Sequence, residues 1–187
     1  MTRRLLAGLS VVCLLLAAAD PLRATLERSM SAHMLVQYPL LLAAGALAAR
    51  ALPWRLTRRV RPWLLGGAAP LVTALALLSA AMVPRVVDAA VTSAAADALK
   101  TAMLVAAGGL AALGWRPAGR LGQAFVVGNV CWMLAAGGLL LTESPLRVCA
   151  SYLEGDQARA GQGLVAWSVA AGAAWLAAAR RRRQVTA

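Results

Sequence analysis

The sequence predicts an all-α integral membrane protein: a polytopic bundle of six transmembrane helices with both termini in the cytoplasm. Three observations predict it. First, 61% of the 187 residues are hydrophobic and only 14% are charged, whereas a soluble domain is about half apolar and about a quarter charged. Second, apolar runs recur along the chain, most of them near the ~20 residues that a helix needs to cross hydrocarbon. Third, the charges are sorted by segment. Helices are required because lipid leaves the edge of an open sheet unsatisfied. The shortage of charge argues against a disordered chain, a fibrous repeat and an ordinary soluble enzyme. A net charge of +12 is the electrostatic mark of nucleic-acid binding in a soluble domain. Here the basic residues sit between apolar runs, so no basic surface can form and nucleic acid is not an expected partner.

The first apolar run, residues 5–19, is short. It follows Arg3 and Arg4 and ends in Ala17, Ala18 and Ala19 before Asp20 and Pro21. It reads either as a first span or as a signal peptide with a small-residue cleavage site. Cleavage would leave five spans in the same orientation. The remaining runs are residues 29–49, 63–83, 98–115, 121–142 and 161–179. Residues 1–187 form one integral membrane domain, with 1–19 as span or leader.

Orientation follows from the charges. Arg3 and Arg4, the group from Arg50 to Arg61, Arg116 and Arg120, and Arg180 to Arg183 supply thirteen positive charges and no acid. The alternate segments carry six positive charges (Arg23, Arg28, Arg85, Lys100, Arg147 and Arg159) and all seven acids. The positive-inside rule puts the purely basic side in the cytoplasm, which implies a multi-pass protein of the plasma (inner) membrane. The arginine runs themselves read as orientation signals and contacts with anionic lipid.

The basic side has short, uniform segments, whereas the other side is longer and chemically mixed. A site is therefore expected at the outer face. The longest outer segment, residues 143–160, carries Glu143, Cys149, Tyr152, Glu154, Asp156 and Gln157. The glycine pairs Gly108-Gly109 and Gly137-Gly138 would let other helices dock closely.

His33 is the single histidine. It lies about one turn inside the second run, near the outer interface. A polar side chain at membrane depth is a functional candidate, and neutral imidazole is a common metal ligand. Gln37, four residues on, would share its face in an α-helix. Met30, Met34, Met82 and Met103 all fall at outer depth, while Met133 falls mid-span. Imidazole and thioether together suit Cu(I). The competing reading of each Met is a core filler, and of His33 an interfacial residue bonded to a loop. Heme is a weaker alternative, since one histidine supplies one axial ligand. Cys13 and Cys131 read as small packing residues. Catalytic templates are absent: there is no GxSxG, no Walker loop, no HExxH and no second histidine for a triad. The chain is expected not to be an enzyme. A transporter is disfavoured because the inner halves of the spans offer almost no ionisable path.

Four stretches carry a resemblance to a known family. They are residues 31–37 (SAHMLVQ), residues 82–90 (MVPRVVDAA), the run from Ala98, Leu99 and Lys100 to Gly114 and Trp115, and Asp156-Gln157 followed by Gly161 and Trp167. In order and spacing they resemble the multi-span CtaG-like family, linked to assembly of caa-type cytochrome c oxidase. The resemblance implies a copper-handling assembly factor with oxidase subunits or other membrane proteins, and membrane lipid, as partners. His33, Met34 and Met82 would be metal ligands, with Gln37, Asp88, Asp156 and Gln157 in support. The chain departs from the family pattern in its histidines. Gln37 stands where the family has a second histidine, Met82 stands before Val83-Pro84 where it has another, and Asp97 and Lys100 lie where a later span opens with more. It also has six spans where family members tend to have seven. These exchanges fit either retuning toward sulfur ligands or decay to a structural subunit of a membrane complex. Lys100 counts against a metal, because a cation repels one.

Overall fold

The computed structural model describes residues 2–144 and 152–185. These residues are helical almost throughout and include no strand. The elements run α1 (Arg3–Ala18), α2 (Leu22–Glu27), α3 (Met30–Ala32), a π turn (His33–Gln37), α4 (Tyr38–Ala51), α5 (Trp54–Val60), a 3₁₀ segment (Arg61–Gly67), α6 (Ala68–Ala81), α7 (Pro84–Thr92), α8 (Ala94–Trp115), α9 (Gly119–Glu143) and α10 (Glu154–Val185). Five stretches are long and apolar enough to cross a membrane: Met30–Ala51, Leu64–Ala81, Ala94–Trp115, Gly119–Glu143 and Gly155–Arg181. At 16 residues, α1 is shorter than any of them.

Local chemistry sets the boundaries. Thr2 caps α1 through its hydroxyl, which accepts from Leu5 N at 3.4 Å, and Ser93 caps α8 by accepting from Ala96 N at 3.5 Å. Such caps satisfy amides that have no partner in the first turn. Asp97 follows in the first turn of α8, where the helix dipole favours an anion. Pro53 stops α4 after Ala51, and Pro84 opens α7 as its first residue, the position where a missing N–H costs least. At the turn into α6, Gly67 has φ +90°, and a Cβ there would lie 2.5 Å from Gly114 O and Ala118 N. Only glycine suits both the left-handed backbone and that approach.

The π turn has a local cause. Pro39 lacks the N–H that would bond Leu35 O, and its ring would clash with that carbonyl in a regular α-helix. The chain widens by one residue instead: Tyr38 N–H bonds His33 O, five residues back. Met30–Ala51 thus stays one continuous rod with a bulge just ahead of its proline.

Small residues set the packing. Glycines on α4 and α8 meet backbone to backbone: a Cβ at Gly108 would overlap the Leu42 carbonyl, and one at Gly45 the Val105 carbonyl. On α9 and α10, a Cβ at Gly138 would sit 2.6 Å from Gly161 O. Between lipid-embedded helices such close dispersion contact substitutes for the missing hydrophobic drive. Gly108 and Gly138 are therefore used inside the bundle, not as docking surfaces for another chain. Gly137 alone of the two pairs meets nothing within 4 Å. Helix α1 lies antiparallel along α4. Arg3 Nε donates to Ala51 O at 3.2 Å, Ser10 Oγ to Ala44 O at 2.7 Å, and Gln37 Nε2 to Ala17 O at 2.8 Å.

Candidate functional site

His33, Gln37, Asp97, Lys100 and Gln157, five buried polar side chains, gather at one end, where α2, the π turn, the end of α6, the start of α8 and the start of α10 meet. Lys100 is fully buried on α8. Its ammonium bonds Asp97 Oδ1 at 2.7 Å, Glu27 Oε1 at 3.1 Å and Gln37 Oε1 at 3.3 Å. The contacts to Glu27 and Gln37 are hydrogen bonds and that to Asp97 is an ion pair. Gln37 Nε2 donates to Ala17 O at 2.8 Å and to Glu27 Oε1 at 3.1 Å. Arg23 donates to Asp97 Oδ2 at 2.7 Å and to Asp20 Oδ1 at 3.3 Å. Hydrogen bonding to Asp97, then to Asp20, raises Arg23 above its ordinary value and holds it charged. Two cations thus face two inward carboxylates, so the buried network is neutral as a whole. Lys100 and Asp97, read from the sequence as outer-segment charges, belong to the first turns of a spanning helix and to this network.

The π turn decides which side chains share a face. The sequence expectation paired His33 with Gln37. In the structure the partner of His33 is Tyr38, with ring centroids 5.3 Å apart, because the wider turn stacks residues five apart. Gln37 is turned instead toward α1, α2 and α8. Tyr38 Oη donates to Ala81 O at 2.8 Å, which ties the π turn to the end of α6 beside Met82. The Tyr152 ring lies 6.1 Å from His33 on another side. His33 is completely buried, and neither of its ring nitrogens has a hydrogen-bond partner among the described residues.

Asp156, near the start of α10, clamps the opposite wall. It accepts from Ser29 Oγ at 3.1 Å, from Ser31 Oγ at 2.8 Å and from Met30 N. A carboxylate from one helix therefore caps the N-terminus of another. Gln157 Nε2 donates to Leu141 O at 3.3 Å and ties α10 to α9. Asp88 lies half-buried on α7, next to the fully buried Val87. Cys149 lies outside the described residues.

A cleft of about 410 Å³ opens beside the clamp. Met30, Met34, Met82 and Met133 all line it, with Trp132 at one edge. Ser79 Oγ donates to Met133 Sδ at 3.4 Å. Of the sequence-predicted ligands, Met34 and Met82 reach this cleft, and both pack into the apolar cluster that includes Tyr152. His33 stands behind that wall and does not line the cleft. Met103, grouped with the outer methionines by depth, packs into a different cluster around Tyr38 and Leu104. Met133, read as mid-span filler, takes its place. Position along a span gave the depth of Met133, but only the α6–α9 contact gave its neighbours. Among the described residues, no three His, Cys, Asp or Glu side chains converge as a metal-binding group.

Compared with models of known protein families, with curated proteins and with solved structures, the chain matches none.

Proposed function

We propose that the protein is a membrane-embedded copper-handling factor that serves assembly of a respiratory cytochrome c oxidase, with its site at the outer face. The observation that carries the copper reading is His33: a fully buried imidazole without a hydrogen-bond partner among the described residues, next in the chain to Met34, which lines a thioether-rich cleft. A buried polar group that the protein leaves unpaired is costly, and soft imidazole and thioether donors suit Cu(I). His33, Met34 and Met82 would hold the ion. The objection from Lys100 loses force, since its charge is answered by Glu27 and Asp97. Asp156 and Gln157 support the site by fixing α10 against α3 and α9. The oxidase as client rests on the four CtaG-like stretches. The role is binding and delivery, not catalysis. Heme through His33 is the weaker alternative.

In this reading α1 is a sixth crossing, since it runs along the second spanning rod from Arg3 beside Ala51 to Ala17 beside Gln37. Both termini then lie in the cytoplasm of a cell whose inner membrane holds the protein. Reporter fusions after Ala187 and within residues 93–94 test this; activity of a periplasmic reporter at the C-terminal fusion overturns it.

A second reading has its own support. The charge of Lys100 is balanced by Glu27 and Asp97, as in a structural device, which favours a non-catalytic subunit or scaffold of a membrane complex. Elemental mass spectrometry on protein purified in mild detergent, with a visible spectrum, separates the two. About one copper per chain and no Soret band, with copper lost in H33A/M82L, is expected. Copper that stays stoichiometric in that double variant overturns the ligand assignment. Absence of metal with retained partner subunits favours the scaffold.

A further inference from the structure

At the end of the bundle opposite His33 lies a second, larger cleft, of about 1240 Å³. The start of α1, the end of α4, helix α5 with the 3₁₀ segment after it, and the end of α8 form it. Arg3, Arg50, Arg58 and Arg116 line it, together with Trp54 and Trp115, and among the described residues no Asp or Glu does. None of these four arginines makes an ion pair among the described residues. At the His33 end the opposite holds, since Lys100 and Arg23 both meet carboxylates. The guanidinium of Arg58 sits 5.8 Å from the centre of the Trp54 ring. That geometry fixes its plane by cation–π attraction while leaving its donors free. Arg3 spends its Nε on Ala51 O at 3.2 Å, which leaves its terminal nitrogens available.

We propose that this cleft is a binding site for an anionic phospholipid, its phosphate held by Arg50, Arg58 and Arg116 and its acyl chains lying along the apolar wall. Guanidinium groups bind phosphate through paired N–H donors. Basic pockets between spanning helices on the cytoplasmic side suit phosphate headgroups. Two features favour a lipid over a free phosphate. Leu6, Leu52, Leu64 and Leu113 continue the cleft as an apolar wall. Its volume also exceeds the ~300–1,000 Å³ of an ordinary small-molecule pocket. Trp54 and Trp115 mark the interface level at which a headgroup sits. The four arginines come from three distant regions, around residue 3, residues 50–58 and residue 116, so a bound headgroup would join the end of α4 to the end of α8.

The test is native mass spectrometry of delipidated full-length protein titrated with tetraoleoyl cardiolipin, dioleoyl phosphatidylglycerol, dioleoyl phosphatidylcholine and inorganic pyrophosphate. The two anionic lipids are expected to give retained adducts and phosphatidylcholine none. At ~1 kcal/mol per basic residue near a membrane surface, R50Q/R116Q should weaken lipid binding about 25-fold. The variant R180Q/R181Q removes as many charges outside the cleft and should change it little. Should R50Q/R116Q fail to elute as a monodisperse species, R58Q on the exposed face of α5 gives the same reading at about fivefold. Equal loss in R180Q/R181Q would reduce the effect to overall charge and overturn the site. Pyrophosphate binding as tightly as cardiolipin would overturn the lipid assignment, and unchanged lipid binding in the cleft variants would overturn the proposal outright.

Discussion

The rings of His33 and Tyr38 lie 5.3 Å apart at a 54° tilt, and the backbone between them is a π turn closed by the bond from Tyr38 N–H to His33 O. One extra residue in that turn sorts the side chains into two sets. His33 and Tyr38 point toward the end of α6 and Tyr152. Gln37 points toward α1, α2 and Lys100. In a regular α-helix, His33 and Gln37 would share a face, and the neutral ion network would lose its amide.

Deleting Val36, which is exposed, tests that account. Combined with Pro39→Ala, which removes the ring that resists a regular α-helix, the deletion lets the rod close and rotates everything before it by ~100° relative to α4. Met30, Met34 and His33 would leave their present neighbours. The expected outcome is a protein that still inserts but melts at lower temperature in detergent and loses any copper seen in the parent. An unchanged melting curve would mean that the π turn is incidental.

Lys100→Met tests the buried network. The substitution leaves Glu27 with Gln37 but no cation, while Asp97 retains Arg23. Removing one partner of a buried pair typically costs about 3–5 kcal/mol. Combining it with Glu27→Gln removes the stranded charge as well and should recover much of that loss. Equilibrium unfolding of the wild type, both single variants and the double variant gives the coupling energy. No coupling between positions 27 and 100 would refute the pairing.

Much of this was legible in the sequence, and the illegible parts share a cause. The five long apolar helices stand out by composition alone, because hydrocarbon demands unbroken apolar stretches. His33, Met30, Met34, Met82 and Met103 stand out because they fall at one depth, yet of these methionines only Met30, Met34 and Met82 line the cleft. The π turn left only an indirect trace, Pro39 inside an apolar run, and a proline there equally suits a kink. Lys100 reads as an outer charge until Glu27, 73 residues away, is known to reach it. The Met133 side chain reads as filler until α6 and α9 are placed together. What periodicity and composition encode is each helix; which faces meet is fixed by small-residue contacts such as Gly45 with Gly109.

Asp156→Ala removes three hydrogen bonds at once, from Ser29 Oγ, Ser31 Oγ and Met30 N. Hydrogen bonds to a charged acceptor contribute about 1.5–3 kcal/mol each, though three bonds to one group are not additive. A net loss of about 2–4 kcal/mol is expected on that scale. Asp156→Asn keeps one accepting oxygen and should lose less. Because Ser29 and Met30 open the rod that carries His33, the Ala variant should also show faster proteolysis near residues 28–31. Equal stability of the Ala variant and wild type would mean that the clamp is not formed in the membrane.

Gly108→Ala and Gly137→Ala make a matched pair, since each adds one methyl group to a long apolar helix. At Gly108 the new Cβ would overlap the Leu42 carbonyl, which is backbone and cannot rotate aside. Helices α4 and α8 would have to separate, and α8 carries Lys100 and Asp97 into the polar end. Overpacking of this kind costs about 1–3 kcal/mol, sometimes more. At Gly137 nothing lies within 4 Å, so the methyl group meets open space. Alanine is also the better helix former by about 1 kcal/mol in water. Gly137→Ala should therefore unfold like the wild type or slightly later, and Gly108→Ala clearly earlier. Thermal unfolding of the two variants in one detergent decides it. Indistinguishable curves would mean that α4 and α8 do not pack through Gly45 and Gly108.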